Sequence, residues 1–170
     1  LVSSSAASDV YKRQDPSLRI LASGVTLNFA IDAEKELKKL GISTEIWSIT
    51  SFNELYKDGI EVERLNRYEN KKSVSYVESC FSECLPTVAV SEYVRAYTNQ
   101  IRQWVNGDYI TLGTDGFGRS DTREELRNYF EISKDHIVVN ALFVSGNKDK
   151  AEKYIKDKKI DLNSKAPWLR

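Results

Sequence analysis

The chain has 170 residues, enough for one domain with a full core, and its 41% hydrophobic and 29% charged content excludes disordered and collagen-like classes. Lys+Arg and Asp+Glu both number 25, so no net field recruits nucleic acid or an anionic membrane surface. No apolar run approaches the ~20 residues that a membrane-crossing helix needs, and the N-terminus lacks the apolar centre of a secretory signal.

The first fourteen residues, "LVSSSAASDVYKRQ", show neither helical nor strand periodicity. They are small and polar and end in a basic cluster. Residues 1–14 are therefore expected to be a non-native or disordered leader, with the domain proper at 15–170; a native linker is the other reading. The chain contains no methionine and begins with Leu1, which predicts a piece of a longer protein. "LRILAS" (18–23) is a short strand, broken by Ser23-Gly24. Residues 25–41 place Leu27, Ala30, Ile31, Leu37 and Leu40 on one helical face, with Lys38 and Lys39 in the last turn and Gly41 as the stop. "STEIWSIT" (43–50) is a second strand. A strand–helix–strand unit with so long a crossover predicts a parallel pair in an α/β fold.

"SFNE" (51–54) carries the capping-box pattern, with Ser51 as N-cap and Glu54 reaching back. The helix it starts is expected to stop near Asp58-Gly59, with residues 60–70 continuing as another. Residues 71–86 hold either a strand or a short helix before Pro86. "TVAVS" (87–91) is a strand. Residues 92–105 set Val94, Tyr97 and Ile101 on one face of a helix that Asn106-Gly107 ends. "YITLG" (109–113) is the next strand. Asp121 with Glu124 predicts the start of a helix, and Ser133 caps a strongly apolar one. Residues 148–159 form a polar helix with a thin apolar stripe, and the last ten residues run over the surface.

Candidate chemistry concentrates in "TLGTDGFGRSDTREEL" (111–126), which joins a strand to a helix. Its glycines stand at 113, 116 and 118. That order, G-x-x-G-x-G, is not the dinucleotide fingerprint, and no phosphate-loop pattern occurs. Ligands in open α/β sheets do collect at the carboxyl ends of strands, so a nucleotide site is one reading. The other needs no ligand: the glycines permit φ > 0, Asp121 caps the helix, and Asp115 and Arg119 bond loop amides or carboxylates. Phe117, flanked by glycine on each side, suits insertion into a partner surface. Thr114, Asp115, Gly116, Phe117, Gly118, Arg119, Ser120 and Asp121 are thus a candidate interface loop. His136, the only histidine, falls in the first turn of a helix and reads as a partly buried structural residue. Cys80 and Cys84, beside one His, cannot complete a four-ligand zinc site alone; they read as reduced thiols of a cytosolic protein, with a redox pair as the alternative. No self-contained catalytic set emerges, so catalytic, cofactor-binding and metal-ligating residues are not assigned.

"WSITSFNELYKDGIEVERLNR" (47–67) and "LGTDGFGRSDTREELRNYFEIS" (112–133) closely resemble the C-terminal domain of the homodimeric bacterial pyruvate dehydrogenase, the decarboxylating first component of its complex. "ILASGVTLNFAIDA", "VAVSEYVRAYTNQIRQWV" and "HIVVNAL" are similar in the same order, so the resemblance spans roughly residues 17–145. It implies a three-layer α/β/α unit of the transketolase C-terminal type, with a five-stranded, mostly parallel sheet and one antiparallel strand. It also implies a homodimeric cytoplasmic enzyme that uses thiamine diphosphate and Mg²⁺ to decarboxylate pyruvate and passes the two-carbon unit to the lipoyl group of the dihydrolipoyl acyltransferase. In that family the coenzyme and metal lie between the N-terminal and middle domains, so neither is expected on this chain, whose role is to organise the dimer. The glycine loop is then expected to face the second subunit or those neighbouring domains. A stand-alone interaction or regulatory module of the same fold is the alternative.

Overall fold

Strands β2 (Leu18–Ala22), β3 (Thr44–Ile49), β4 (Thr87–Val90) and β5 (Tyr109–Leu112) run parallel, and β1 (Ala7–Tyr11) lies antiparallel against β3, in the sheet order β1-β3-β2-β4-β5. The computed structural model describes the backbone of residues 7–11 and the whole of residues 15–70, 72–161 and 163–170. Helices α1 (Thr26–Lys39), α6 (Lys134–Val144) and α7 (Lys148–Lys158) cover one face; α2 (Phe52–Glu69), α3 (Tyr76–Cys80) and α4 (Arg95–Asn99) cover the other. Helix α5 (Arg123–Tyr129) stands at the carboxyl edge of the strands. This is the expected three-layer class.

The two faces follow from the strand period of two. Leu18, Ile20 and Ala22 point into one core with Ala30, Ala33 and Leu37 of α1 and Ile137, Val138, Ala141 and Leu142 of α6. Leu21 points the other way, into a core with Trp47, Phe52, Leu55, Val77, Phe81 and Trp104. Both faces are covered, so the central strands are buried at every position and show no polar alternation. Arg19 shares the face of Leu21, and there it meets Glu45, its register partner on β3. Both side chains are almost wholly buried, and the guanidinium lies 4.8 Å over the Phe81 ring.

Three expectations about elements change. Residues 7–11, expected to lack regular structure, pair with the outer edge of β3, Ala7 against Ile49 and Tyr11 against Ile46. An edge strand is recruited through backbone N–H and C=O groups, which side-chain periodicity does not report. The remainder of that leader, 1–6 and 12–14, lies outside the described residues. Secondly, no helix stops at Gly59. Helix α2 runs unbroken from Phe52 to Glu69, and a Cβ at Gly59 would stand 2.5 Å from the Trp104 ring, so the glycine marks a close helix contact. Ser51 does cap α2, accepting from the Glu54 N–H at 3.2 Å, while the Glu54 carboxylate turns to Lys57. The full capping box sits instead at Ser75 and Glu78, which start α3, so the short-helix reading holds for Tyr76–Cys80. Thirdly, residues 92–105 break into α4 and a 3₁₀ turn, Arg102–Trp104.

Candidate interface at the carboxyl edge of the sheet

From β2 the chain turns through α1 to β3 on one side; from β3 it crosses back over β2 to β4 on the other. The crevice between the carboxyl ends of β2 and β4 is therefore the topological switch point, the usual ligand side of an open α/β sheet. Thr26 Oγ1 ties the two ends together, 2.8 Å from the Ser23 carbonyl and 3.1 Å from that of Val90. The glycine loop arrives beside them from β5.

The first half of the loop is anchored. The Thr114 N–H donates to the Tyr93 carbonyl at 2.9 Å, and the Thr114 hydroxyl donates to that of Glu92 at 2.8 Å. Gly113 has no positive φ; its requirement is space, because a Cβ there would sit 2.5 Å from the Tyr93 carbonyl oxygen. The Asp115 carboxylate accepts the Arg95 N–H at 3.2 Å and lies 3.3 Å from the Arg95 guanidinium. Gly116 alone of the three adopts positive φ, +108°, and its backbone packs on Pro167 and Trp168. Gly118 has neither constraint, so the expectation that all three glycines serve φ > 0 reduces to one. Phe117 stands 87% exposed between them. Arg119 reaches back to lie 5.3 Å over the Tyr129 ring, and Ser120 is exposed.

Asp121 does not cap α5. Thr122 takes that place with extended backbone, accepting from the Glu125 N–H at 3.3 Å, and the Asp121 carboxylate accepts the Thr122 N–H at 2.7 Å. The first residue able to hold extended ψ directly before the helical run is the one that caps, and Arg123 opens that run.

Behind the loop lies a cleft of about 420 Å³, lined by Val25, Glu92, Thr114, Leu126, Arg127 and Phe130 among others. Arg127 spans its edge, 3.6 Å from the Glu92 carboxylate and 4.5 Å over the Phe29 ring. His136 is half-buried at the start of α6, with Nδ1 2.9 Å from Ser133 Oγ. Burial pushes its pKa below the ordinary value, with Arg170 adding to that and Glu131 and Asp135 opposing it. Cys80 is half-buried on α3 and Cys84 exposed beyond it, both free.

The chemistry of this rim does not fit a magnesium–diphosphate group. A small hard cation takes oxygen ligands from unengaged carboxylates and phosphate. Here Asp115 is engaged by Arg95, Glu92 by Arg127 and Asp121 by a backbone amide. Among the described residues, no three His, Cys, Asp or Glu side chains converge as a metal-binding group. The part sequence reasoning missed is the final segment, 165–170, which packs on Gly116. Its only trace in the sequence is a proline and a tryptophan near the end of a polar stretch.

The fold thus defines an α/β/α domain with an exposed glycine loop at the carboxyl edge of its sheet. The family model described as "Transketolase-like TK C-terminal domain" matches residues 6–133, and the chain belongs to that family. Among curated relatives, the pyruvate dehydrogenase E1 component of Pseudomonas aeruginosa is 45% identical over 130 residues, covering 74% of this chain and 15% of that protein. The protein of that name from Cupriavidus necator is 37% identical over 161 residues, covering 89% and 18%. The chain therefore spans less than a fifth of the length of either. Transketolases share the fold: that of Leishmania mexicana superposes with a TM-score of 0.57 at 21% identity over 81% of this chain and 18% of its own. One from Pichia stipitis gives 0.59 at 19% identity over 85% and 18%.

Proposed function

We propose that this chain is the C-terminal, dimer-organising domain of a thiamine-diphosphate- and Mg²⁺-dependent pyruvate dehydrogenase of the acetyl-transferring type, a cytoplasmic homodimer that hands its two-carbon unit to the lipoyl group of an acyltransferase. One observation carries the reading: 45% identity over 130 residues to a relative bearing that enzyme's name. The rim adds physical support. Arg95 and Arg127 are spent on Asp115 and Glu92, and Tyr93, Val94, Phe117, Trp168 and Leu169 are exposed. A surface of that kind joins proteins more readily than it moves protons. Binding and turnover of pyruvate then reside in polypeptide outside this chain. The glycine loop, Thr114 to Asp121, faces the second subunit or the neighbouring domains.

The test compares the 170-residue chain with a polypeptide extended to the relatives' length. With thiamine diphosphate, Mg²⁺ and an electron acceptor, the extended protein turns over pyruvate and the short chain does not. Turnover by the short chain alone, or none by the extended one, overturns the proposal.

A further inference from the structure

Residues 165–170 make contacts that surface tails ordinarily lack. The Gly116 backbone approaches the Pro167–Trp168 backbone so closely that a Cβ would lie 3.0 Å from the Pro167 carbonyl oxygen and 3.2 Å from Trp168 Cα. The Arg95 guanidinium sits 4.4 Å over the Trp168 ring while it pairs with Asp115, so one side chain bridges the loop, the turn after β4 and the tail. Such stacking adds ~0.5–1 kcal/mol at exposed sites and more where water is excluded. On the far side, Arg170 lies 4.9 Å over Tyr129 and 3.3 Å from the Glu131 carboxylate, and it also bonds the Lys165 carbonyl. Tyr129 receives Arg119 from the loop as well as Arg170 from the tail. Pro167 is buried in this junction.

The consequence is a rim that carries several exposed apolar side chains around the Arg95–Asp115 pair. Tyr93 and Val94 precede Arg95; Phe117 follows Gly116; Trp168 and Leu169 follow the buried Pro167; and all five side chains are exposed. Their backbones meet at Gly113 and Gly116, where the turn and the tail press on the loop.

We propose that residues 165–170 act as a strap that clamps the glycine loop, and that strap, loop and the Tyr93–Val94 turn form one composite docking face for another domain of the same longer polypeptide. The choice of occupant rests on the reading in the preceding subsection and on length: more than four-fifths of each relative lies outside the matched region. The strap itself does not depend on that reading. It makes loop order conditional on tail docking, so the face exists only when both are in place.

Two measurements separate the parts. Amide hydrogen exchange on the 170-residue chain reads the strap. Trp168→Ala and a chain ending at Ser164 should each speed exchange of the loop's Thr114 amide, held by the Tyr93 carbonyl, and of the Arg95 amide, held by Asp115, by roughly tenfold or more, with protection of β2 and β4 retained. Unchanged exchange in the loop overturns the strap. Should the truncated chain lose protection in β2 as well, Trp168→Ala decides alone. Hydroxyl-radical footprinting then reads the face, comparing the short chain with the extended protein. Tyr93, Phe117 and Trp168 should be labelled in the first and several-fold protected in the second. Equal labelling overturns the docking face, as does concentration-dependent protection in the short chain alone, which would assign it to a second copy. The pyruvate assay reports separately on the enzymatic reading.

Discussion

Two of the molecule's arginine–carboxylate pairs, one at each end of the sheet, differ in surroundings more than in chemistry. Arg19 and Glu45 meet at the amino-terminal end of the strands with side-chain exposures of 2% and 3%; Arg95 and Asp115 meet at the carboxyl end with 31% and 29%. The first pair is sealed beneath Phe81, and one guanidinium nitrogen, Nη1, is left without a partner. The second shares its arginine with Trp168; Arg95 Nε is itself buried, but 31% and 29% of the two side chains stay exposed. A desolvated ion pair is intolerant of losing a member, whereas a solvated one is nearly dispensable. One end of the sheet is therefore fixed by its core, and the other is held by contacts weak enough to be remade when a neighbouring domain arrives.

The sharpest way to break this contrast is Glu45→Ala. It strands a buried guanidinium, so unfolding free energy from chemical denaturation should drop by about 3–5 kcal/mol. The double replacement Arg19→Met with Glu45→Leu should recover most of that loss, because apolar side chains of similar size remove the uncompensated charge. A double variant as unstable as the single one would mean that packing distortion, rather than stranded charge, dominates there.

A second test of the rigid side is Gly59→Ala. In an exposed helix interior this change gains roughly 1 kcal/mol of helix propensity. At this position the new methyl would stand 2.5 Å from a Trp104 ring that is buried and whose Nε1–H is held by Glu63 at 2.9 Å. Overpacking of that kind costs about 1–3 kcal/mol, so the expected sign is destabilising. A stabilised variant would show that the ring can move and that α2 tolerates a wider spacing. On the other side of the comparison, Asp115→Ala removes a partly exposed pair and the acceptor of the Arg95 N–H, and should lower stability by about 1–2 kcal/mol in the isolated chain, well short of Glu45→Ala. A loss as large as that of Glu45→Ala would erase the distinction between the two ends.

The same contrast governs how much the sequence reveals. Buried elements announce themselves: the apolar spacing of residues 25–41 and the run in α6 place both helices, though Ile31, expected on the buried face, is exposed and Ala33 is buried, and β2 to β5 appear as short apolar segments. Gly59 misleads because a glycine that ends a helix and a glycine that admits an indole look alike until the indole is located. Strand β1 hides because edge pairing is written in backbone amides. At the rim, the loop's glycines and Phe117 are visible as unusual composition, and the long motifs at 47–67 and 112–133 point to the family. The cap of α5 is a local choice between two adjacent residues that both favour capping, Asp121 and Thr122, whereas the joining of the loop to Trp168 by Arg95 depends on distances between segments some 20 to 70 residues apart. No local pattern encodes those.

The finest test lies where strap and core meet, at His136. Its folded-state pKa is lowered from 6.5, chiefly by burial. Glu131 from the turn before α6 and Asp135 beside it favour the charged ring, and Arg170 from the strap disfavours it. The sign follows from proton counting: below about pH 6.5 the unfolded chain takes up a proton that the folded chain refuses, so stability falls as pH drops through the folded pKa. His136→Gln should flatten that part of the stability–pH curve while leaving the region above pH 7 unchanged. Arg170→Gln should move the ring's titration upward, since one of the two influences holding it neutral is removed. Following the His136 ring resonances by NMR gives that pKa directly. A titration unaffected by Arg170→Gln would mean that Arg170 is not held against Tyr129 and Glu131 in solution, and the rim would then share none of the order that the core confers.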